Sequence, residues 1–175
     1  CEGDESFVGN IQGATAWVFL KTGTLQLDRQ QQREFAGDAT RLLLQDSGAQ
    51  WTDAQKQTVS CRNNRKLAIW EGAKLSGVEY RAVGNEPSWV LEIQGNEVSY
   101  KGDYGQTQWV FSKPSPQVST QQRETLYQLS NDDHQMSVSI RAEACSDSMS
   151  GDHYETTVFI KLNTKTLRGC GRALH

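Results

Sequence analysis

The chain has 175 residues, of which 36% are hydrophobic, and a formal net charge of -3 at pH 7. Such a length holds one domain or two small ones, and the low apolar content excludes a large core, so covalent staples are expected to matter. No run of lysine and arginine interleaves with aromatics, which sets aside nucleic acid and anionic membrane surfaces as partners. The longest apolar run, residues 14–20 (ATAWVFL), is far too short for a membrane-crossing helix.

The chain opens at Cys1 without a basic and apolar leader, so any signal peptide is expected to have been removed or to lie outside the sequence. Cys1 has two readings. It is either the lipid-carrying first residue of a mature bacterial lipoprotein, which leaves Cys61 as an odd thiol, or the disulfide partner of Cys61, which uses all four cysteines. The pairing is preferred, because an unmatched thiol is a liability in an oxidising compartment. In the chain-entropy picture, closing a loop of this length stabilises by about 4 kcal/mol. A lipidated residue a few positions upstream would still give a lipid anchor to a membrane.

Residues 16–21, 24–27 and 39–44 read as short strands, separated by Thr22-Gly23 and by the glutamine-rich segment DRQQQREFAGD. Within that segment, residues 28–34 are compatible with a loop or with one helical turn. Residues 62–76 read as a helix. Asn63 or Asn64 caps its start, Leu67, Trp70 and Ala73 share a face, and Gly77 stands where a left-handed residue ends a helix. From Tyr80 onward the pattern is an antiparallel meander. Trp89, Leu91 and Ile93 share a face, Gly95-Asn96 turns, Val98 and Tyr100 return, residues 102–105 turn again, and Trp109 and Phe111 continue. Residues 113–116 (KPSP) interrupt the sheet, and strands at 125–129 and 136–142 follow, joined by residues 131–134.

The segment from Cys145 to Cys170 reads as a β-hairpin closed by cysteine at both ends. Val158, Ile160 and Leu162 alternate with Thr157, Phe159 and Lys161, the period of two of a strand packed on a core. A Cys145–Cys170 disulfide is therefore expected to staple sheet edges and to place the protein in an oxidising compartment, the periplasm or the exterior.

Catalytic patterns are absent. Ser148 or Ser150 with His153 and Asp147 or Asp152 are the nearest hydrolase candidates, but no G-x-S-x-G elbow accompanies them and residues so close in one turn rarely form a triad. The three histidines show no metal-ligand spacing, and neither G-x-G-x-x-G nor a Walker loop occurs, so no cofactor or metal is expected, and the glycines are read as turn residues. In Gly84-Asn85-Glu86-Pro87-Ser88-Trp89, Glu86 reads as an architectural clasp that accepts backbone or arginine hydrogen bonds, with ligand binding by Asn85 and Glu86 as the alternative. The tryptophans Trp17, Trp51, Trp70, Trp89 and Trp109 read as core rather than as the lining of a ligand cavity.

RAVGNEPSWVLEI at residues 81–93, CSDSMSGDHYETTVFIKL from Cys145 and LRGCGR up to Arg172 together resemble the C-terminal domain of a family of bacterial envelope lipoproteins distantly similar to META-domain β proteins. The resemblance spans about half the chain. It implies an all-β domain with the Cys145–Cys170 bridge and carries no established activity. The first half resembles the membrane-bound inhibitors of C-type lysozyme, through CEGDESF at residues 1–7, WVFL at 17–20, LQL at 25–27, and Cys61 at the place of a closing bridge. It departs from them in lacking S-G-x-x-Y over residues 28–33 and in keeping only Phe35-Ala36-Gly37 of their second motif. S-G-x-x-Y occurs instead at Ser76 to Tyr80 and at Ser150 to Tyr154.

The expected protein is all-β, a mostly antiparallel meander or barrel with one short connecting helix, stapled by disulfides. Residues 1–61 would form a lysozyme-inhibitor-like domain, 62–79 the connecting helix and 80–175 a META-like domain. It would be a non-enzymatic binding protein of the bacterial envelope, periplasmic or tethered to the outer membrane. Its partner would be a lysozyme-type enzyme, or alternatively an envelope complex that it serves as an accessory subunit. Candidate binding residues are Ser76, Tyr80, Asn85, Glu86, Ser150 and Tyr154.

Overall fold

Alternating apolar side chains turn more than half of the chain into antiparallel strands, and the computed structural model describes residues 7–175. Cys1, and with it the expected partner of Cys61, lies outside the described residues; Cys61 itself is buried and disulfide-bonded. The chain divides into two compact units between Gly72 and Ala73. Among the described residues no helix is long and apolar enough to cross a membrane.

The first unit is a seven-stranded meander: β1 (Val8–Gln12), β2 (Thr15–Leu20), β3 (Gly23–Gln31), β4 (Glu34–Gly37), β5 (Thr40–Gln45), β6 (Gly48–Thr52) and β7 (Thr58–Arg62), each hydrogen-bonded to the next. The sheet curls as a half-barrel around one row of inward residues. Ala16, Val18, Leu27, Phe35, Leu42, Trp51 and Cys61 form that row, and Phe7 packs on Trp51 with ring centroids 5.2 Å apart.

The glutamine-rich segment is neither a loop nor a helical turn. β3 runs on to Gln31 through a bulge between Arg29 and Gln31, and β4 returns after Gln32-Arg33. Tertiary contacts override the weak strand propensity of glutamine here. Phe35 is fully buried, the Arg29 guanidinium lies 4.5 Å over its ring, and Arg29 Nη2 donates to the Gly13 carbonyl at 2.7 Å. β1, β6 and β7 also lie outside the segments that the pattern marks as strands.

Helix α1 (Arg65–Leu75) contains the boundary between the units. Asn64 caps it, accepting the Leu67 amide on Oδ1 at 2.9 Å, and Gly77 at φ 89° ends it, with the Val78 amide reaching back to the Ala73 carbonyl. Trp70 and Ala73 are buried, whereas Leu67 is exposed, a correction to the single apolar face read from the sequence.

The second unit holds a nine-stranded antiparallel sheet. Its strands are β8 (Tyr80–Asn85), β9 (Ser88–Gln94), β10 (Glu97–Gly102), β11 (Thr107–Ser112), β12 (Gln117–Ser119), β13 (Glu124–Ser130), β14 (Gln135–Arg141), β17 (Thr156–Leu162) and β18 (Lys165–Ala173), in the spatial order β11-β10-β9-β8-β18-β17-β14-β13-β12. A two-stranded ribbon of β15 (Cys145–Ser146) and β16 (His153–Tyr154) stands apart. Curling brings β11 alongside the β13–β14 turn, where Asn131 Nδ2 donates to the Val110 carbonyl and His134 stacks on Trp109 at 4.3 Å. The enclosed core contains Tyr80, Ala82, Trp89, Leu91, Ile93, Val98, Tyr100 and Phe111, facing Leu129, Met136, Val138, Val158, Ile160 and Leu167.

Several glycines of this unit lie inside strands rather than at turns. A Cβ on Gly84 or Gly169 would overlap the Trp89 indole, and one on Gly171 or Gly102 would overlap the ring of Tyr80 or Tyr100. The small residues are cradles for aromatic rings on the core face.

Candidate functional site

The cysteines do not close the ends of a hairpin. The hairpin is β17–β18, turning at Asn163-Thr164, and Cys170 sits within β18 opposite Thr157 on one side and Val83 on the other. β18 is a central strand. The Cys145–Cys170 bridge, with a Cα separation of 5.5 Å, therefore fastens the β15–β16 ribbon onto mid-sheet rather than stapling an edge.

Asp147, immediately after β15, organises this region. Its Oδ1 accepts the amides of Met149 and Ser150 at 2.9 and 2.8 Å, which folds the loop back on itself, and the side-chain amide of Asn85 at 2.9 Å. Burial works to raise the Asp147 pKa, but the Ser150 amide, the Asn85 amide and the Met149 amide outweigh it and hold the carboxyl below its ordinary range. The clasp expected of Glu86 thus belongs to Asp147, and Glu86 is exposed beside the cis Glu86–Pro87 bond. In the sequence Asp147 stood out only as a candidate hydrolase acid, although an aspartate two and three residues ahead of Met149 and Ser150 is the spacing of an Asx turn.

Asn85, Glu86, Ser146, Asp147 and Arg168 line an open cleft of about 280 Å3 over the disulfide. The cleft joins two of the sequence candidates, Asn85 and Glu86. The others lie elsewhere or point away from solvent. Tyr80 is buried and its hydroxyl meets Thr156 Oγ1 at 2.6 Å; burial pushes its pKa up to about 12. Tyr154 is also buried, its hydroxyl facing Asp152, and burial followed by the charges of Asp152 and Asp147 raises its pKa. Ser76 is exposed after α1 and offers its carbonyl to Gln94, while Ser150 is exposed in the Asp147 loop with its Oγ accepting the Asp152 amide.

The hydrolase candidates do not assemble. His153 Nδ1 meets Ser146 Oγ at 2.9 Å across the ribbon, not Ser148 or Ser150, and Asp147 is committed to the loop. Among the described residues no group of three or more His, Cys, Asp or Glu side chains converges as a metal site.

Fold and site together define a disulfide-bonded, all-β class of protein with two curled antiparallel sheets. Compared with known proteins, the chain matches no family model, no curated protein and no solved structure.

Proposed function

We propose that the chain is a non-enzymatic binding protein of the bacterial envelope, with a protein as its partner and a C-type lysozyme as the first candidate. The observation that carries the reading is the buried Cys145–Cys170 bridge, because a structural disulfide persists in an oxidising compartment. The first unit adds support. A curled seven-stranded meander whose last strand carries the disulfide-bonded Cys61 is what a relative of the lysozyme inhibitors would have. The net charge of -3 favours association with a basic enzyme. Kinship to META-like envelope lipoproteins remains part of the same proposal, as does an outer-membrane tether.

One observation favours a second reading, an accessory subunit of an envelope complex. The edge strands of both sheets each carry an exposed apolar residue: Ile11 on β1, Val59 on β7, Val110 on β11 and Val118 on β12. Unpaired edges with apolar side chains are surfaces on which another chain adds. A pull-down from envelope extract, read by mass spectrometry, separates the two. A lysozyme-type enzyme as the enriched species supports the first reading, and stoichiometric envelope subunits support the second. Recovery of the protein in a cytosolic fraction with reduced cysteines contradicts both.

A further inference from the structure

The ladder between β8 and β18 is incomplete. It runs from Ala173 opposite Tyr80 to Cys170 opposite Val83 and stops there, although β18 begins at Lys165 and β8 continues to Asn85. From Lys165 to Gly169, β18 pairs only with β17, and Gly84 and Asn85 pair only with β9. Two central strands of the sheet therefore part at this end. The cleft over the disulfide is the parting, with residues 83–86 on one lip and Thr166, Arg168, Gly169 and Cys170 on the other. Facing backbone that no neighbouring strand pairs is what an extended segment of another chain adds to.

The parting is held rather than frayed. The β15–β16 ribbon straddles it, bonded to β18 through Cys145–Cys170 and, two residues on, to β8 through Asp147 and the Asn85 side-chain amide at 2.9 Å. On the core face the Trp89 indole lies against both Gly84 and Gly169 and closes the cleft from beneath. A cleft fixed at both lips does not have to be organised by what enters it.

The chemistry of the lips selects the occupant. Asp147 already accepts three donors, so the unengaged charges are Arg168 on one lip and Glu86 on the other. Both are exposed, and neither has an ion pair or a side-chain hydrogen bond among the described residues. Lys161 and Lys165, exposed on the same hairpin, do not line the cleft. Arg168 lies on the same face of β18 as Cys170, toward the ribbon. Its guanidinium presents a fork of donors suited to a carboxylate, and Glu86 accepts from a cation or an amide.

We propose that the parting between β8 and β18 receives an extended peptide segment of a partner protein, which pairs its backbone with the lips and places an acidic side chain on Arg168 and a basic or amide one on Glu86. An open cleft of about 280 Å3 takes a few residues of chain. The inference rests on the reading of the chain as a protein-binding protein and is independent of lysozyme as the partner.

A display library of random peptides, selected on the whole oxidised protein, tests it. Selected peptides are expected to carry Asp or Glu. Each, once synthesised, should bind Arg168→Gln at least about tenfold more weakly than wild type, with Arg168→Lys in between. Arg168 is exposed, so these variants keep the fold. Replacing the acid of the peptide by its amide should cost as much against wild type and nothing further against Arg168→Gln. N-methylation of alternate peptide amides should abolish binding. If no selected peptide binds, or if binding is indifferent to Arg168, the cleft is overturned as a peptide site. If N-methylated peptides bind as well as their parents, the cleft is an anion site only and the proposal is again overturned. If Arg168→Gln retrieves the same protein from envelope extract as wild type does, the cleft fails while the protein-binding reading stands.

Discussion

The indole of Trp89 on β9 lies across Gly84, its cross-strand neighbour on β8, and extends over Gly169 on β18. Three strands are thereby locked to one ring. The pairing explains why a buried sheet position is glycine when strand propensity disfavours it.

Gly84→Ala and Gly169→Ala are therefore expected to destabilise the second unit by about 1–3 kcal/mol each, the cost of overpacking a filled core. Trp89→Ala should cost about 3–5 kcal/mol. Trp89→Phe should cost less than Trp89→Ala, since Nε1 has no hydrogen-bond partner to lose. Denaturant titration measures all four.

The Cys145–Cys170 bridge closes a separation of 25 residues, so replacing both cysteines by serine should lower stability by about 3.5 kcal/mol in the chain-entropy picture. Both cysteines are buried, so native protein should resist thiol reductants that act once it is unfolded. Non-reducing peptide mapping should recover the two as one linked pair.

Asp147→Ala leaves the Asn85 side chain and two loop amides without their acceptor, and should cost about 1–3 kcal/mol. Asn85→Ala removes one of these bonds and should cost less. Because the folded carboxyl titrates below its unfolded value, its contribution is present above the unfolded value of about 3.9 and disappears as pH falls through the lower folded one. The acid limb of a stability profile should flatten in Asp147→Asn.

Tyr80 gives the opposite limb. Its pKa is raised to about 12, so the folded state holds the proton more tightly than the unfolded one. That contribution is fully present below pH 10 and is lost as pH rises from about 10 to about 12, amounting to about 2–3 kcal/mol. Tyr80→Phe should remove this alkaline loss, at the cost of the Thr156 hydrogen bond.

What the sequence made legible were the features with a local period. Trp89, Leu91 and Ile93 alternate and are all buried, Gly95 turns at φ 53°, and Asn64 and Gly77 cap α1 where expected. β4 escaped because one buried residue, Phe35, decides it against a polar background, and the cation that covers its ring sits six residues earlier at Arg29. The site escaped in a similar way. Glu86 and Asp147 are both carboxylates beside turns, and only the fold, which carries Asn85 to a residue 62 positions away, shows which one is the clasp. Gly84 and Gly169 passed as turn residues because their partner ring lies on another strand.

The proposal that a C-type lysozyme is the partner is tested most directly by the rate of cell-wall lysis by that enzyme as the purified, oxidised protein is titrated in. A saturable fall in rate at about micromolar concentration is expected, the range of a specific but moderate complex. An unchanged rate at a hundredfold molar excess would contradict it.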